Sequence, residues 1–460
     1  MSREVRTKVL VVGAGVAGLG AALELERGGT DVLVVDEGDA PGGVMRTDSV
    51  RGFRIERGPN TIRIDAGLQQ LLVDQDLVTL PLRATAENKS RWLFAGGKLV
   101  RVPTSLVSMF RSKLLGPAAK RRALREPLIQ RGDASRESVA AFVTRRLGSE
   151  VAENLVAPFL TGVYAGDPER LGAEAVLPSL VDAERRRGSI LLGSLTAAIR
   201  NRLGNVPRGR PGIWSCVSGL SDLAASLSAG LALRPRLATR VEAIARDREG
   251  WRTEVRGPEG ETVVRSRGLL LAMPADAAAR LTGAVDAELA ARLASIEYAP
   301  IVTLALGVEP GGVQRSIEGF GFLVPAAARM DLLGCLFMSR LFPDRAPPGA
   351  ELLHCILGGV RAPDVVTLPE DLLRKRCLGE LDRVLGLRAE PTSLKLTRWP
   401  KAVAQPGVRH RELDAAIDRR LTDLPGLGLA GAYRSGVSVT AALASGVAQA
   451  RIISARLSTQ

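Results

Sequence analysis

Residues 13–18 read Gly-Ala-Gly-Val-Ala-Gly, between an apolar run (Val9 to Val12) and a stretch with helical periodicity that continues to about Arg27. A first glycine, Gly13, permits a tight turn; the next, Gly15, lets a pyrophosphate approach the backbone; and Gly18 lets helix and strand pack closely. A helix starting at Val16 and Ala17 offers amide donors and a positive dipole end to phosphate oxygens. A second apolar run, Val32 to Val35, ends in Asp36, a carboxylate placed to accept from both hydroxyls of a ribose, with Glu37 beside it. Strand, glycine turn, helix, strand and terminal acid together specify a dinucleotide site, whereas the glycine spacing alone is weak evidence.

Other chemistries lack material. The chain has two histidines, His354 and His410, which argues against a multi-histidine metal site or a Ser-His-Asp triad. Its four cysteines, Cys216, Cys335, Cys355 and Cys377, lie far apart without a C-x-x-C pair, so neither a zinc knuckle nor a disulfide framework is expected, and no metal. The 460 residues carry 63 basic against 49 acidic groups, a net charge of +14, and eight of the basic residues are lysine, so arginine dominates. This balance favours anionic partners. Nucleic acid is excluded by the shortage of stacking aromatics, 3% of the chain, and by the absence of a recognition motif. No signal peptide is read at the start, and Val9 to Leu23 is too short and glycine-rich to span a bilayer, so a cytoplasmic protein is expected, with any membrane contact peripheral on the inner face of the cell membrane.

NAD and FAD share the glycine fingerprint, so the next residues decide. Gly42, Gly43 and Arg46 follow the second strand in place of another βαβ repeat. That continuation resembles the FAD-binding superfamily of amine oxidases, phytoene desaturases and protoporphyrinogen oxidases. The resemblance implies that the Gly42-Gly43 step passes close to a flavin and that Arg46 lies near it. FAD is therefore the expected cofactor, held non-covalently because the C-terminal glycine segment contains no cysteine.

The elements that must position these groups return in pieces. Residues 236–274 read as short strands with hairpin turns at Asp-Arg-Glu-Gly and Gly-Pro-Glu-Gly, closing with Leu269 to Ala272. The C-terminal piece reads as a strand at Leu427 to Ala430, a glycine turn, and a helix from about Val437. The expected fold is α/β: a discontinuous Rossmann-like FAD-binding domain (1–85, 206–285 and 412–460) with an inserted α+β substrate domain (86–104 and 286–411) and a helical, membrane-binding-like domain (105–205). Within 111–131 seven residues are basic and one acidic, interleaved with Leu114, Leu115, Leu124, Leu128 and Ile129. Such a stretch suits either an anionic bilayer or an ordinary solvated face.

Five further stretches sharpen the resemblance: "TGVYAGDPERLGAEAVLPSL" (161–180), "EGFGFLVP" (318–325), "LFPDRAP" (341–347), "TRWPKAVAQ" (397–405) and "AGAYRSGVSVTAALASG" (430–446). With the fingerprint they are similar, in order and over nearly the whole chain, to the motifs of oxygen-dependent protoporphyrinogen oxidases. This implies stepwise oxidation of protoporphyrinogen IX to protoporphyrin IX, with hydride passing to the flavin and dioxygen leaving as peroxide. Few groups suited to acid–base work are then needed, because the flavin carries the hard step. The resemblance further places Gly58, Pro59, Val241, Ala272 and Trp399 at the cofactor, with Gly431, Ala432, Val437, Ser438 and Val439 from the C-terminal turn. On the substrate side it implies Arg91 for a propionate, Asn60 near the reactive face, and Gly162, Ala165 and Gly166 as a loop lying against the macrocycle. Phe320, Phe322, Leu323, Phe337 and Phe342 are candidate apolar walls, although core packing is the usual fate of buried phenylalanine.

The sequence departs from the family pattern at Gly172, Leu177, Pro406, Arg409 and Ala432, which leaves flavin contacts and the preferred porphyrinogen open. Coproporphyrinogen III is the nearest alternative substrate. An amine oxidase would place lysine where Thr303 stands, a phytoene desaturase gives no reason for Arg91, and a porphyrin carrier that does no oxidation is the non-enzyme reading. The oligomeric state is open, with a homodimer as one alternative.

Overall fold

The computed structural model describes residues 3–74, 82–83, 90–103, 106–203, 212–316 and 318–458. The expected boundaries at 85/86, 104/105 and 205/206 lie outside the described residues. Strand Arg3–Val12 is flanked in parallel by Val32–Val35 and by Gly260–Leu271, and Leu427–Leu429 pairs in parallel with the end of the latter. Three distant stretches of chain thus build one sheet. Val9 to Val12, Val32 to Val35 and Leu269 to Leu271 are all buried, as continuous apolar runs require when a parallel sheet is covered on both faces. The predicted hairpins form the antiparallel strands Arg240–Asp247 and Gly250–Gly257 on its flank.

Helix Val16–Arg27 and the C-terminal helix Val439–Ser458 pack against each other over this sheet. Their backbones approach so closely that a Cβ on Gly446 would stand 1.9 Å from the Ala17 carbonyl oxygen. The helix that begins the glycine turn is thereby fixed from behind.

A second, seven-stranded sheet runs in the order Thr392–Ala404, Tyr298–Val308, Glu351–Gly358, Leu332–Phe337, Gly321–Leu323, Arg91–Ala95, Lys98–Arg101. Helix Glu370–Leu385 buries Leu373, Cys377, Leu381 and Val384 against it. Phe322 and Phe337 meet inside this core with ring centroids 6.1 Å apart, and Phe342 is buried in a neighbouring core with Phe53 and Leu341. The three rings expected as cleft walls are therefore core residues in this structure: strand alternation turns Phe322 and Phe337 toward the helix, and Phe342, at the end of the short helix Met338–Leu341, packs on Phe53. His354 is fully buried in the same sheet, and burial pulls its pKa down to about 4, so it is neutral at physiological pH.

Between the two stretches of this sheet, residues 106–203 are helical. Their core carries an ion network: Arg146 Nε donates to Glu126 Oε1 at 2.7 Å, and Arg145 reaches Glu184 at 2.7 Å and Glu137 at 2.6 Å. Glu126 also accepts from the Ile190 amide at 2.9 Å, tying the basic stretch to the start of helix Ile190–Leu203.

A ribbon of Thr47–Val50 and Phe53–Glu56 joins the two sheets. Glu56, buried at its end, pairs with the buried Arg345 of the Leu341 to Pro347 motif at 2.9 Å and accepts from Thr47 Oγ1 (2.8 Å) and the Leu220 amide (3.0 Å). Burial pushes the carboxyl pKa up and the guanidinium pKa down, so each charge depends on the other. Removing one partner strands a buried charge. Arg345→Ala is expected to cost about 3–5 kcal/mol in denaturant unfolding, and the double variant Glu56→Gln/Arg345→Met to recover most of it. A loss under about 1 kcal/mol for the single variant would contradict the lock between the sheets.

Candidate cofactor and substrate site

The first strand ends at Val12, and Gly13 turns the chain with φ 109°. A side chain there would strike the Ala272 carbonyl oxygen at 2.3 Å, and one on Gly18 would lie 1.8 Å from the Gly13 carbonyl oxygen. Both glycines are thus dictated by contact between strand, turn and helix. Gly15 differs: it precedes the helix with φ −72°, and a Cβ on it would meet nothing within 4 Å. The helix start has no side-chain cap. Open space facing uncapped amides at a positive helix end is the arrangement a diphosphate fits.

Asp36 closes the turn from the second strand. Its Oδ2 accepts from the Ala14 amide at 2.5 Å and its Oδ1 from the Gly38 amide at 2.7 Å. Each oxygen keeps a lone pair for a ribose hydroxyl. Glu37 is exposed beside it, and residues 236–239 run alongside, with the Thr239 amide on the Asp36 carbonyl at 2.7 Å and Val241 buried two residues on.

Contacts link the remaining expected cofactor positions. Gly42 bridges Gly15, Gly43 lies against the Gly15 Cα, and Gly58 packs so closely on Val44 that its Cβ would be 2.3 Å from that carbonyl oxygen, with Pro59 following. Arg46 Nη2 donates to Asp39 at 2.8 Å and to the Ala40 carbonyl. Trp399 Nε1 donates to the Arg57 carbonyl at 2.9 Å, bringing the second sheet to the same loop. The Gly431 amide donates to Ser445 Oγ, and Ser438 Oγ accepts from the Ala441 amide as the cap of helix Val439–Ser458. Ala432 and Val437 line a cavity of about 440 Å³ together with Tyr164 from the helical insert and His410.

On the substrate side, Arg91 begins the strand of the second sheet that lies between Gly321–Leu323 and the edge strand Lys98–Arg101; it is half-buried, with its guanidinium carbon 4.8 Å from the Phe320 ring centroid. It has no carboxylate partner among the described residues. Burial lowers its pKa, and the charge of Arg63 adds to the effect. Asn60 Nδ2 donates to the Gly58 carbonyl at 3.3 Å, while its Oδ1 is buried with no donor. Thr303 is buried mid-strand between Ile356 and Thr397.

Gly162 lies on helix Ala157–Tyr164, so the expected loop begins only at Ala165, the left-handed residue that ends the helix, and protein contacts place both parts. A Cβ on Gly162 would lie 2.5 Å from Leu323 Cδ2 and one on Gly166 2.4 Å from Gln405 Oε1, while Ala165 is buried with φ 49° and its carbonyl accepts from the Val360 amide. Gly162 and Leu323 are thus brought together, and the small residues are required by neighbouring protein atoms before any ligand is considered. Gly172 has the same logic: a Cβ there would stand 2.4 Å from the Gly407 carbonyl oxygen, and its amide donates to Pro406. The departures at Gly172 and Pro406 therefore belong to one backbone contact.

Arg434 was not read from the sequence. Its guanidinium donates to Asp414 Oδ1 at 2.8 Å and also to Asp418, pinning the turn after Gly431 to helix His410–Thr422. The i, i+4 carboxylates are visible in the sequence, but their partner is brought in only by the fold.

The sequence matches the family described as flavin containing amine oxidoreductase over residues 16–454. It is 31% identical to protoporphyrinogen oxidase of Homo sapiens over 95% of this chain and 96% of that one. It is 24% identical to coproporphyrinogen III oxidase of Bacillus subtilis, over 94% of each. The fold is similar to the crystal structure of a provisionally named protoporphyrinogen oxidase from Exiguobacterium sp. 255-15, with a TM-score of 0.80, 24% identity and 99% of both chains covered.

Since Gly15 has ordinary backbone angles and free space, Gly15→Val is expected to fold, by circular dichroism, and to carry almost no FAD after purification. Full flavin occupancy would contradict the assignment of this turn to the diphosphate.

Proposed function

Because the chain belongs to the flavin containing amine oxidoreductase family and, within it, to the protoporphyrinogen oxidase group, we propose that it oxidises protoporphyrinogen IX to protoporphyrin IX with FAD, dioxygen accepting the electrons and leaving as hydrogen peroxide. The observation that carries the reading is Arg91, a half-buried guanidinium stacked on Phe320 with no acid beside it among the described residues. A cation in that state calls for an anion from outside the chain, and a guanidinium forks onto a propionate with two parallel hydrogen bonds.

Bound FAD supplies the two-electron chemistry. The chain's own residues bind and orient. Amides from Val16 onward hold the diphosphate, Asp36 takes the ribose, and Arg91 fixes one acid edge of the macrocycle. The donor-free Oδ1 of Asn60 is suited to accept from a pyrrole N–H. Thr303, in place of a lysine, supports this reading over amine oxidation. Coproporphyrinogen III, with more carboxylates, is the second reading, favoured by the Bacillus relative and by the arginine surplus.

Aerobic turnover of each porphyrinogen, followed by porphyrin fluorescence together with oxygen and peroxide, tests the proposal. Protoporphyrin IX is expected at the higher kcat/KM; the opposite preference selects the second reading, and no porphyrin from either overturns both. Arg91→Ala is expected to raise KM by about tenfold or more with flavin content intact, as for a charged hydrogen bond of about 1.5–3 kcal/mol. An unchanged KM removes Arg91 from the site.

Peripheral contact with an anionic membrane is part of the same proposal. No helix among the described residues is long and apolar enough to cross a membrane. Leu124, Leu128, Leu192 and Leu195 are exposed, Leu128 at 82%, and the Glu126 to Ile190 hydrogen bond holds their two segments side by side. Arg121, Arg125 and Arg131 are exposed around them. Each basic group near an anionic surface contributes about 1 kcal/mol. Flotation with vesicles containing anionic phospholipid should recover the protein, less so at high salt or for Leu128→Ser/Leu195→Ser; equal recovery with neutral vesicles would contradict this.

A further inference from the structure

Arg91 is not the lone cation at its edge of the second sheet. Ile62 and Trp214 exchange backbone hydrogen bonds of 2.9 Å, and Arg63 follows directly. Ile213, next to Trp214, packs on the apolar cluster of Phe53 and Ile55 that also receives Phe320, the ring beneath Arg91. This chain of contacts brings the backbone at Arg63 close to the cluster on which Phe320 packs beneath Arg91. The Arg63 carbonyl in turn accepts from Thr440 Oγ1 at 2.8 Å, so its backbone is held to the start of helix Val439–Ser458.

The two guanidiniums repel, as the effect of Arg63 on Arg91 shows. Neither has a carboxylate partner among the described residues. Arg46 and Arg57, from the same part of the chain, are paired with Asp39 and Asp48. Water compensates the exposed Arg63, but the half-buried Arg91, with a second cation beside it and no acid among the described residues, gains when a ligand brings negative charge to both.

We propose that Arg63 is a second carboxylate anchor, and that the site takes a macrocycle bearing two acid side chains on adjacent corners, Arg91 holding one and Arg63 the other. The inference rests on the porphyrinogen reading above and deepens it: protoporphyrinogen IX carries its two propionates on adjacent pyrroles. Arg63 is exposed, so solvent screens it and its share is smaller than that of Arg91.

The test uses the full-length, FAD-loaded protein and the stable products protoporphyrin IX and its dimethyl ester, with binding read by quenching of protein fluorescence. Wild type should prefer the diacid. Arg63→Gln should weaken diacid binding about threefold at low salt and leave the ester unchanged, Arg63→Lys should restore part of the loss, and Arg91→Ala should weaken the diacid about tenfold. Equal weakening of diacid and ester by Arg63→Gln, or no change in either, overturns the anchor. A preference for diacid whose size is unchanged by Arg63→Gln but lost in Arg91→Ala sinks this inference alone. Equal binding of diacid and ester by wild type sinks the Arg91 reading with it.

Discussion

The structure depends on keeping bare backbone amides open at the end of a buried strand, the arrangement that a diphosphate fits. Amide donors at a helix start are available only if nothing covers them, and here three glycines keep them so by different means. Gly13 and Gly18 are forced by contacts with Ala272 and with each other, and Gly15 leaves open space. The constraint propagates outward. The helix must be held rigidly, hence Gly446 on Ala17 from the C-terminal helix, and the far strands must reach the same turn, hence a sheet assembled from three stretches of chain.

The arginine surplus separates into two populations. Arg345 with Glu56, and Arg146 with Glu126 and Glu184, are buried ion pairs whose desolvation cost is met within the chain. They position elements and have no bearing on ligands. Arg91 and Arg63 have no such partners among the described residues, and for that reason they are the two we assign to a ligand. A net charge of +14 cannot make this distinction, because it counts both populations alike.

Much of the cofactor end was legible in the sequence. Strand, turn and helix there are consecutive, and their periodicity and glycines are local signals. The Trp399 to Arg57 hydrogen bond and the Arg434 clamp join residues far apart in sequence, so no spacing rule announces them. The phenylalanines show the opposite failure: Phe322, Phe337 and Phe342 carry the composition of a ligand wall, yet strand alternation and a covering helix place the first two in one core, the end of helix Met338–Leu341 places Phe342 in another, and only Phe320 is left half-buried under a guanidinium. The glycines at 162 and 166 were legible as close-approach positions, but what approaches is Leu323 and Gln405, which only the fold supplies, and Gly172, read only as a departure, meets Gly407.

The central claim is that a porphyrinogen seated on Arg91 gives its electrons directly to flavin held at the Gly13 to Gly18 turn. Anaerobic mixing of the FAD-loaded protein with protoporphyrinogen IX in a stopped-flow spectrometer tests it most directly. The account predicts loss of the yellow oxidised-flavin absorbance in a single turnover, with recovery on admitting air. A flavin that stays oxidised while porphyrinogen is in excess would contradict it.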